Sequence, residues 1–334
     1  MDLVSAMKEL TISTTEGKVT QSLDSVSIPT PKANEVVIKV AVVGLNPKDW
    51  KFAGDRSNQG DDIAGYIHSV GEDVRNFKPG DRVCAYHDML EKYGGYAQYA
   101  IAEEGFTFHL PEKVSFEELD LPYPWRPARE DIPLIIYGAG TTVATYAIQF
   151  AKLANIHPII AVAGKSAAAV EKALDAEKGD KVIDYREGVD ATIKNIKEVL
   201  GEKKCYWALD TVCEDDSAKV IDAVVVPKTG MASVVGPVKS KGPVTWKPIF
   251  VKSVHTDANG LGENKPLGTI GYREFGIAFF QLIGRGLAAG WFKGHQHKIV
   301  PKGLDGLADA LNEMKEGKVS GFRYVVRIED TPSL

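Results

Sequence analysis

Two glycines one residue apart, Gly138 and Gly140, lie between a short apolar run and a helical pattern in LIIYGAGTTVATYAIQFAKL, residues 134–153. A turn of this kind lets the backbone approach a phosphate, and the helix behind it offers unpaired N–H groups and the positive end of its dipole. The pattern therefore points to a dinucleotide pyrophosphate, with an ordinary helix start as the plainer alternative. Thr141 and Thr142 either add hydroxyl donors to the phosphates or cap the helix. The third glycine of the usual G-x-G-x-x-G spacing is absent: Val143 stands there, so close helix-to-strand packing falls to Ala144. The next strand ends AVAGKS, which places Gly164, Lys165 and Ser166 where a fold selecting NAD carries Asp or Glu, and no acid precedes Glu171. A cation without a carboxylate suits a 2′-phosphate, which favours NADP(H); the alternative is a solvated surface lysine. Tyr185, at the end of VIDY, either packs against the adenosine ribose or is a half-buried strand-end aromatic.

These residues need a sheet to hold them. PLIIY (133–137), PIIAVA (158–163), KVIDY (181–185), CYWALDTV (205–212) and MASVV (231–235) are short apolar runs rich in β-branched residues. Helical patterns such as TTVATYAIQFAKLA and SAAAVEKALDAEKG separate them, which predicts a doubly wound α/β domain with a parallel sheet over roughly 130–260. Before residue 130, runs such as EVVIKVAVVG, AGYIHSVG and GDRVCAY between Gly, Pro and Asp turns read as a compact β domain. Towards the end, YREFGIAFFQLIGRGLAAG (272–290) and GLDGLADALNEMKEGK read as helices, and GFRYVVRI (321–328) as a strand able to return to the first sheet.

Composition bounds the partners. The chain has 334 residues, 44% of them hydrophobic, and a net charge of −5 from 45 acidic and 40 basic side chains without long runs. Two domains are expected, with neither a nucleic-acid footprint nor an anionic-membrane footprint. No run of about 18 apolar residues occurs, and MDLVSAMKELTIST lacks the basic and apolar regions of a signal peptide, so the expected compartment is cytoplasmic. Cys84, Cys205 and Cys213 are too few and too far apart for a disulfide framework.

VVGLNPKDWK (42–51), DDIAGYIHSVGEDVRNFKPGDRV (61–83), YGGYAQYAIA (93–102), the glycine turn, VIDYRE and the ending GLDGLADALNEMKEGKVSGFRYVVRI resemble the medium-chain dehydrogenase/reductases in family order. The resemblance is strongest to a fungal subgroup of toxin-cluster reductases and trans-acting enoyl reductases. It implies a GroES-like β domain made from both chain ends, 1–129 and 266–334, around a Rossmann NADP-binding domain at 130–265. It also implies that Asn46, Pro47, Lys48 and Asp49 line the nicotinamide side, that Val235 and Gly236 contact the nicotinamide end, and that Lys51 stabilises an oxyanion or relays a proton. The plainer reading of Lys51 is a solvated lysine after Trp50.

Metal sites are not expected. The alcohol-dehydrogenase branch places a cysteine ligand where Asn46 stands, and a Gly-His-Glu motif where this chain reads GDDIAG. A close set of four cysteines is lacking, and His157, Cys205, His295 and His297 have no ligand partners in sequence; His295 and His297 are expected in a loop. Subgroup resemblance implies hydride transfer from NADPH to an activated C=C bond or a quinone, with an enone, quinone or acyl substrate, a polyketide synthase as partner, and a monomer or homodimer. After LPEKVSFEE (110–118) the family carries a pocket-lining segment that this chain omits, passing directly to LDLPYPWRPARED. That omission leaves open a catalytically impaired NADPH-binding or partner-docking protein, alongside a reductase of simple carbonyls.

Overall fold

A computed structural model describes residues 6–15, 18–51, 58–110, 128, 130–249, 251–255 and 272–334. The omission after Glu118 lies outside the described residues. The chain divides into two compact units, one of Met1–Asp120, Lys252–Asp257 and Pro266–Leu334, the other of Leu121–Val251 and Ala258–Lys265.

The elements, in chain order, begin with β1 (Ala6–Thr15), β2 (Lys18–Ser27), β3 (Glu35–Gly44), α1 (Pro47–Lys51), β4 (Asp62–Val70), β5 (Arg82–Tyr86), β6 (Tyr99–Glu103) and β7 (Thr107–His109). There follow β8 (Leu134–Tyr137), α2 (Thr142–Leu153), β9 (Ile159–Ala163), α3 (Ala167–Glu171), β10 (Lys181–Asp184), α4 (Val189–Leu200), β11 (Trp207–Asp210), α5 (Asp215–Val224), β12 (Met231–Val234) and β13 (Thr245–Pro248). The chain closes with α6 (Tyr272–Ala289), β14 (His297–Ile299), α7 (Leu307–Lys315) and β15 (Arg323–Arg327).

In the first unit β3 pairs antiparallel with β4, β6 and β15, so the last strand joins a sheet begun near the other end of the chain. The driving force is burial: Val36, Ile38, Val40 and Val43 of β3 share a core with Leu307 and Leu311 of α7 and Val326 of β15. His297 does not lie in a loop. It opens β14 and pairs in parallel with Arg323, because the chain after α6 needs a strand partner for β15.

The second unit is a parallel sheet in the order β10-β9-β8-β11-β12-β13, the doubly wound arrangement that reverses direction at β8 and β11. Strand pleating explains why its strands are apolar throughout. Ile136 faces Ala144, Ile148 and Ala151 of α2, while its neighbours Ile135 and Tyr137 face Ile196, Leu200 and Ile221 of α4 and α5. The sequence reading missed β13, whose exposed Lys247 and Pro248 hide the strand signal. It also overextended α3. That helix stops at Glu171 because buried Asp180 takes up the Asp175 N–H at 2.9 Å and the Ile159 N–H at 2.7 Å, drawing the chain out of the helical path. Among the described residues no helix is long and apolar enough to cross a membrane.

Candidate active site

In the second unit the sequence-predicted phosphate turn lies at the carboxyl end of β8. Gly138 has φ +79°, and a Cβ there would lie 2.5 Å from Thr211 Oγ1 and 2.5 Å from Val212 Cγ2. At Gly140 an added Cβ would meet Ser166 Cβ at 2.5 Å and its Oγ closer still. Both positions therefore require glycine, the first for conformation and space, the second for space. The turn abuts the ends of β9 and β11, so its backbone is fixed by neighbouring strands.

Thr141 has the capping role. Its Oγ1 accepts from Ala144 N at 3.2 Å and donates to Thr211 Oγ1 at 2.9 Å, while Thr211 donates to Tyr137 O and Gly138 O at 2.9 and 3.0 Å. The hydroxyl donor to phosphate anticipated at Thr141 is thus committed within the protein. Thr142 opens α2, Val143 is exposed, and Ala144 is fully buried against Ile136, as the missing third glycine requires.

Lys165 is exposed just after β9, with Ser166 at the start of α3. Gly164 keeps room for Tyr185, whose ring carbon Cε1 would be 2.8 Å from an added Cβ. The Tyr185 ring is itself half exposed and 6.2 Å from that of Tyr137. The carboxylate at the end of β10, Asp184, is bound by the Arg186 side chain, whose hydrogen bonds hold it down at about 2. Val235 is exposed past β12, and Gly236 lies beside Cys213, whose Sγ would be 3.0 Å from an added Cβ.

The first unit holds a buried ionic cluster around α1, in the NPKD stretch. Lys48 Nζ lies 2.7 Å from Asp61 Oδ2, 2.7 Å from Gln59 Oε1 and 3.1 Å from Asp49 Oδ1. Asp49 Oδ2 accepts from Tyr96 OH at 2.6 Å and from Asn46 N at 2.7 Å, closing the turn that Pro47 begins. Asn46 Nδ2 donates to Asp62 Oδ2 at 2.6 Å, and Arg323 from β15 pairs with the same carboxylate. Gly44 lets the Arg323 guanidinium cross β3 to reach it. Burial works against the Lys48 charge, but Asp49 and Asp61 outweigh it and raise its pKa. Burial pushes Asp61 up to about 7, with Asp49 adding to the rise and Lys48 opposing it.

Sequence reasoning named Asn46, Lys48 and Asp49 but missed Gln59, Asp61, Tyr96 and Arg323; the only local signal was the paired acid of GDDIAG. It also ranked Lys51 highest. Lys51 is exposed, with Nζ 5.4 Å from the centre of the Trp50 ring, which matches its plainer reading. No group of three or more His, Cys, Asp or Glu among the described residues is placed to hold a metal ion. His157 instead pairs with Asp180 at 2.7 Å, and Cys205 is buried, its Sγ 3.3 Å from Trp207 O.

Comparison with known proteins identifies the scaffold. Residues 32–112 match the Alcohol dehydrogenase GroES-like domain family. The chain is 38% identical over 324 residues to the trans-enoyl reductase fsr4 of Gibberella fujikuroi, covering 89% of this chain and 91% of that protein. CurK enoyl reductase superposes with a TM-score of 0.72 at 20% identity, covering 97% and 99% of the two chains. A crotonyl-CoA carboxylase/reductase in complex with NADP gives 0.70 at 16% identity, covering 98% and 96%. With a Rossmann sheet, a GroES-like sheet and a relative of this closeness along most of its length, the chain belongs to the fungal trans-enoyl reductases of the medium-chain dehydrogenase/reductase family, and is an oxidoreductase.

Proposed function

We propose that the protein is an NADPH-dependent, zinc-independent reductase of a C=C bond conjugated to a carbonyl, acting on an enoyl or enone substrate or on a quinone. The observation that carries this reading is the cradle at Gly138 and Gly140, where any Cβ would close the space a pyrophosphate needs, in a chain of the trans-enoyl reductase family. Bound NADPH supplies the hydride. The chain's own part is to bind and orient it and to manage charge. The turn from Gly138 through Ala144 holds the diphosphate with backbone N–H groups. Gly164, Lys165, Ser166 and Tyr185 take the adenosine end; Lys165 is an exposed cation, and the nearby acid Asp184 is neutralised by Arg186. Asn46, Pro47, Lys48, Asp49, Val235 and Gly236 serve the nicotinamide end, and Lys51 faces the substrate.

Zinc independence is supported by the occupation of the corresponding positions. Asp61 and Asp62 are neutralised by Lys48 and Arg323, and Asn46 spends its amide on Asp62. These side chains already have cationic partners.

The test is NADPH and NADH consumption by purified, metal-free protein with a panel of enoyl thioesters, enones, quinones and simple aldehydes. The reading expects turnover of the conjugated substrates with NADPH. Binding of NADPH without turnover on any of the panel would instead support the impaired or docking alternative, and failure to bind either nucleotide would end the oxidoreductase mechanism. Lys51→Met should lower turnover with little change in NADPH affinity; unchanged turnover removes Lys51 from the chemistry.

A further inference from the structure

The cluster around α1 holds one more carboxylate than cations. Asp49, Asp61 and Asp62 face Lys48 and Arg323. Its other titratable members do not restore balance. Tyr96 is fully buried and its phenol is pushed well above its usual value by burial and Asp49, so it stays neutral. His87, at the end of β5, is pushed down by burial and stays neutral as well. Lys48 cannot relieve the excess further, since its three ammonium hydrogens already face three acceptors. Asp61 carries the surplus: it is 2% exposed, and its Oδ1 has no hydrogen-bond partner. A buried charge left partly uncompensated is costly, and relief comes from a proton or from a positive group brought alongside.

We propose that ionised Asp61 stabilises the positive charge that a nicotinamide ring carries once its hydride has left, and that a proton on Asp61 removes this stabilisation. The proposal rests on the reading that the Asn46–Asp49 turn serves the nicotinamide end. In the reduction the cofactor is oxidised by loss of a hydride, the acceptor carbon is reduced by gaining it, and the second hydrogen arrives as a proton from solvent. A neutral ring becomes a cation in that step. A fixed negative charge in a water-poor setting favours the change without having to reorganise. Asp61 acts at a distance and through the Lys48 pair, so it tunes the site without being a catalytic residue. Because burial and Asp49 bring its titration into the neutral range, the effect depends on pH. NADP⁺ favours ionised Asp61 and should bind more tightly as pH rises, with release of a proton. NADPH, whose ring is neutral, should show no such trend; any titration of the 2′-phosphate is common to both and cancels in their ratio.

The test measures NADP⁺ and NADPH affinity of the full chain by calorimetry between about pH 6 and 8.5, in buffers of different ionisation enthalpy, for the wild type and for Asp61→Asn and Asp61→Glu. The wild type should show the NADP⁺ to NADPH affinity ratio rising by on the order of tenfold, the effect of one charge some way off in a partly screened setting. Asp61→Asn should abolish the rise and hold the ratio at its low-pH value, and Asp61→Glu should restore part of it. A ratio that rises equally in Asp61→Asn overturns the proposal. If that variant does not fold, the wild type alone decides: equal proton release with NADP⁺ and NADPH overturns it, and greater release with NADP⁺ supports it. Failure of both nucleotides to bind would instead strike the cofactor reading itself.

Discussion

Gly140→Ala gives a sharp test of how the phosphate turn is built. Gly140 is not forced into a left-handed conformation, so the penalty comes from space alone: the new Cβ would lie 2.5 Å from Ser166 Cβ and nearer its Oγ. Real carbon contacts are about 3.5–4.0 Å, so the turn must move off the end of β9 by most of an ångström. Overpacking of this kind costs about 1–3 kcal/mol. Ser166 is half-buried and its side chain makes no capping hydrogen bond to α3, so Ser166→Gly alone should cost little. The double variant should recover most of the loss, a coupling of about 1–2 kcal/mol between touching residues. Thermal melts of all four proteins measure it, with roughly 2–4 °C expected per kcal/mol. Melting is the decisive readout because Ser166 is also assigned to the cofactor, so nucleotide affinity alone would mix two effects. Should Gly140→Ala melt like the wild type, or should removing the Ser166 side chain give no relief, the close approach of the two strand ends is wrong and the cradle with it.

Lys165→Asp should weaken NADPH binding at least tenfold while leaving melting unchanged, since the side chain is exposed; unchanged affinity in a titration would reassign Lys165 to the solvent. Asp180→Ala should cost about 3–5 kcal/mol in denaturant melts, because it strips the partner from His157 and from the N–H groups of Ile159 and Asp175. Stability should fall as pH drops from about 6.5 towards 4, because burial holds His255 and His295 at about 4, so the unfolded chain binds more protons in that window. Asp61 has the opposite sign: raised to about 7, it stabilises the fold most at low pH and loses that contribution as pH rises through 7, so Asp61→Asn should melt higher than the wild type at pH 8 and lose stability more steeply on acidification.

What was legible in the sequence was local. The glycine turn and the compensating Ala144 sit within seven residues of one another, and a strand-turn-helix fixes their roles before any tertiary contact forms. The return of GFRYVVRI to the first sheet was legible too, since an apolar run of that length needs a sheet to bury it. Errors arose wherever a distant side chain decided. α3 is short because of Asp180, nine residues past its last turn, whose carboxylate serves backbone groups on either side of the helix.

The clearest case is the choice between Lys48 and Lys51. Both belong to the same single helical turn, and nothing in PKDWK says which is drawn inward. Gln59 and Asp61 decide it: a buried carboxylate needs a cation within reach, and Lys48 supplies one at 2.7 Å while Lys51 remains on the surface beside Trp50. Arg323 does the same for Asp62 from 261 residues away, a pairing that no window on the sequence could reveal. Read from the sequence, GDDIAG marked only the lack of metal ligands. In the fold, its two carboxylates organise the turn at Asn46 through two side-chain cations, and the single negative charge left over is the feature that connects the cluster's packing to redox chemistry.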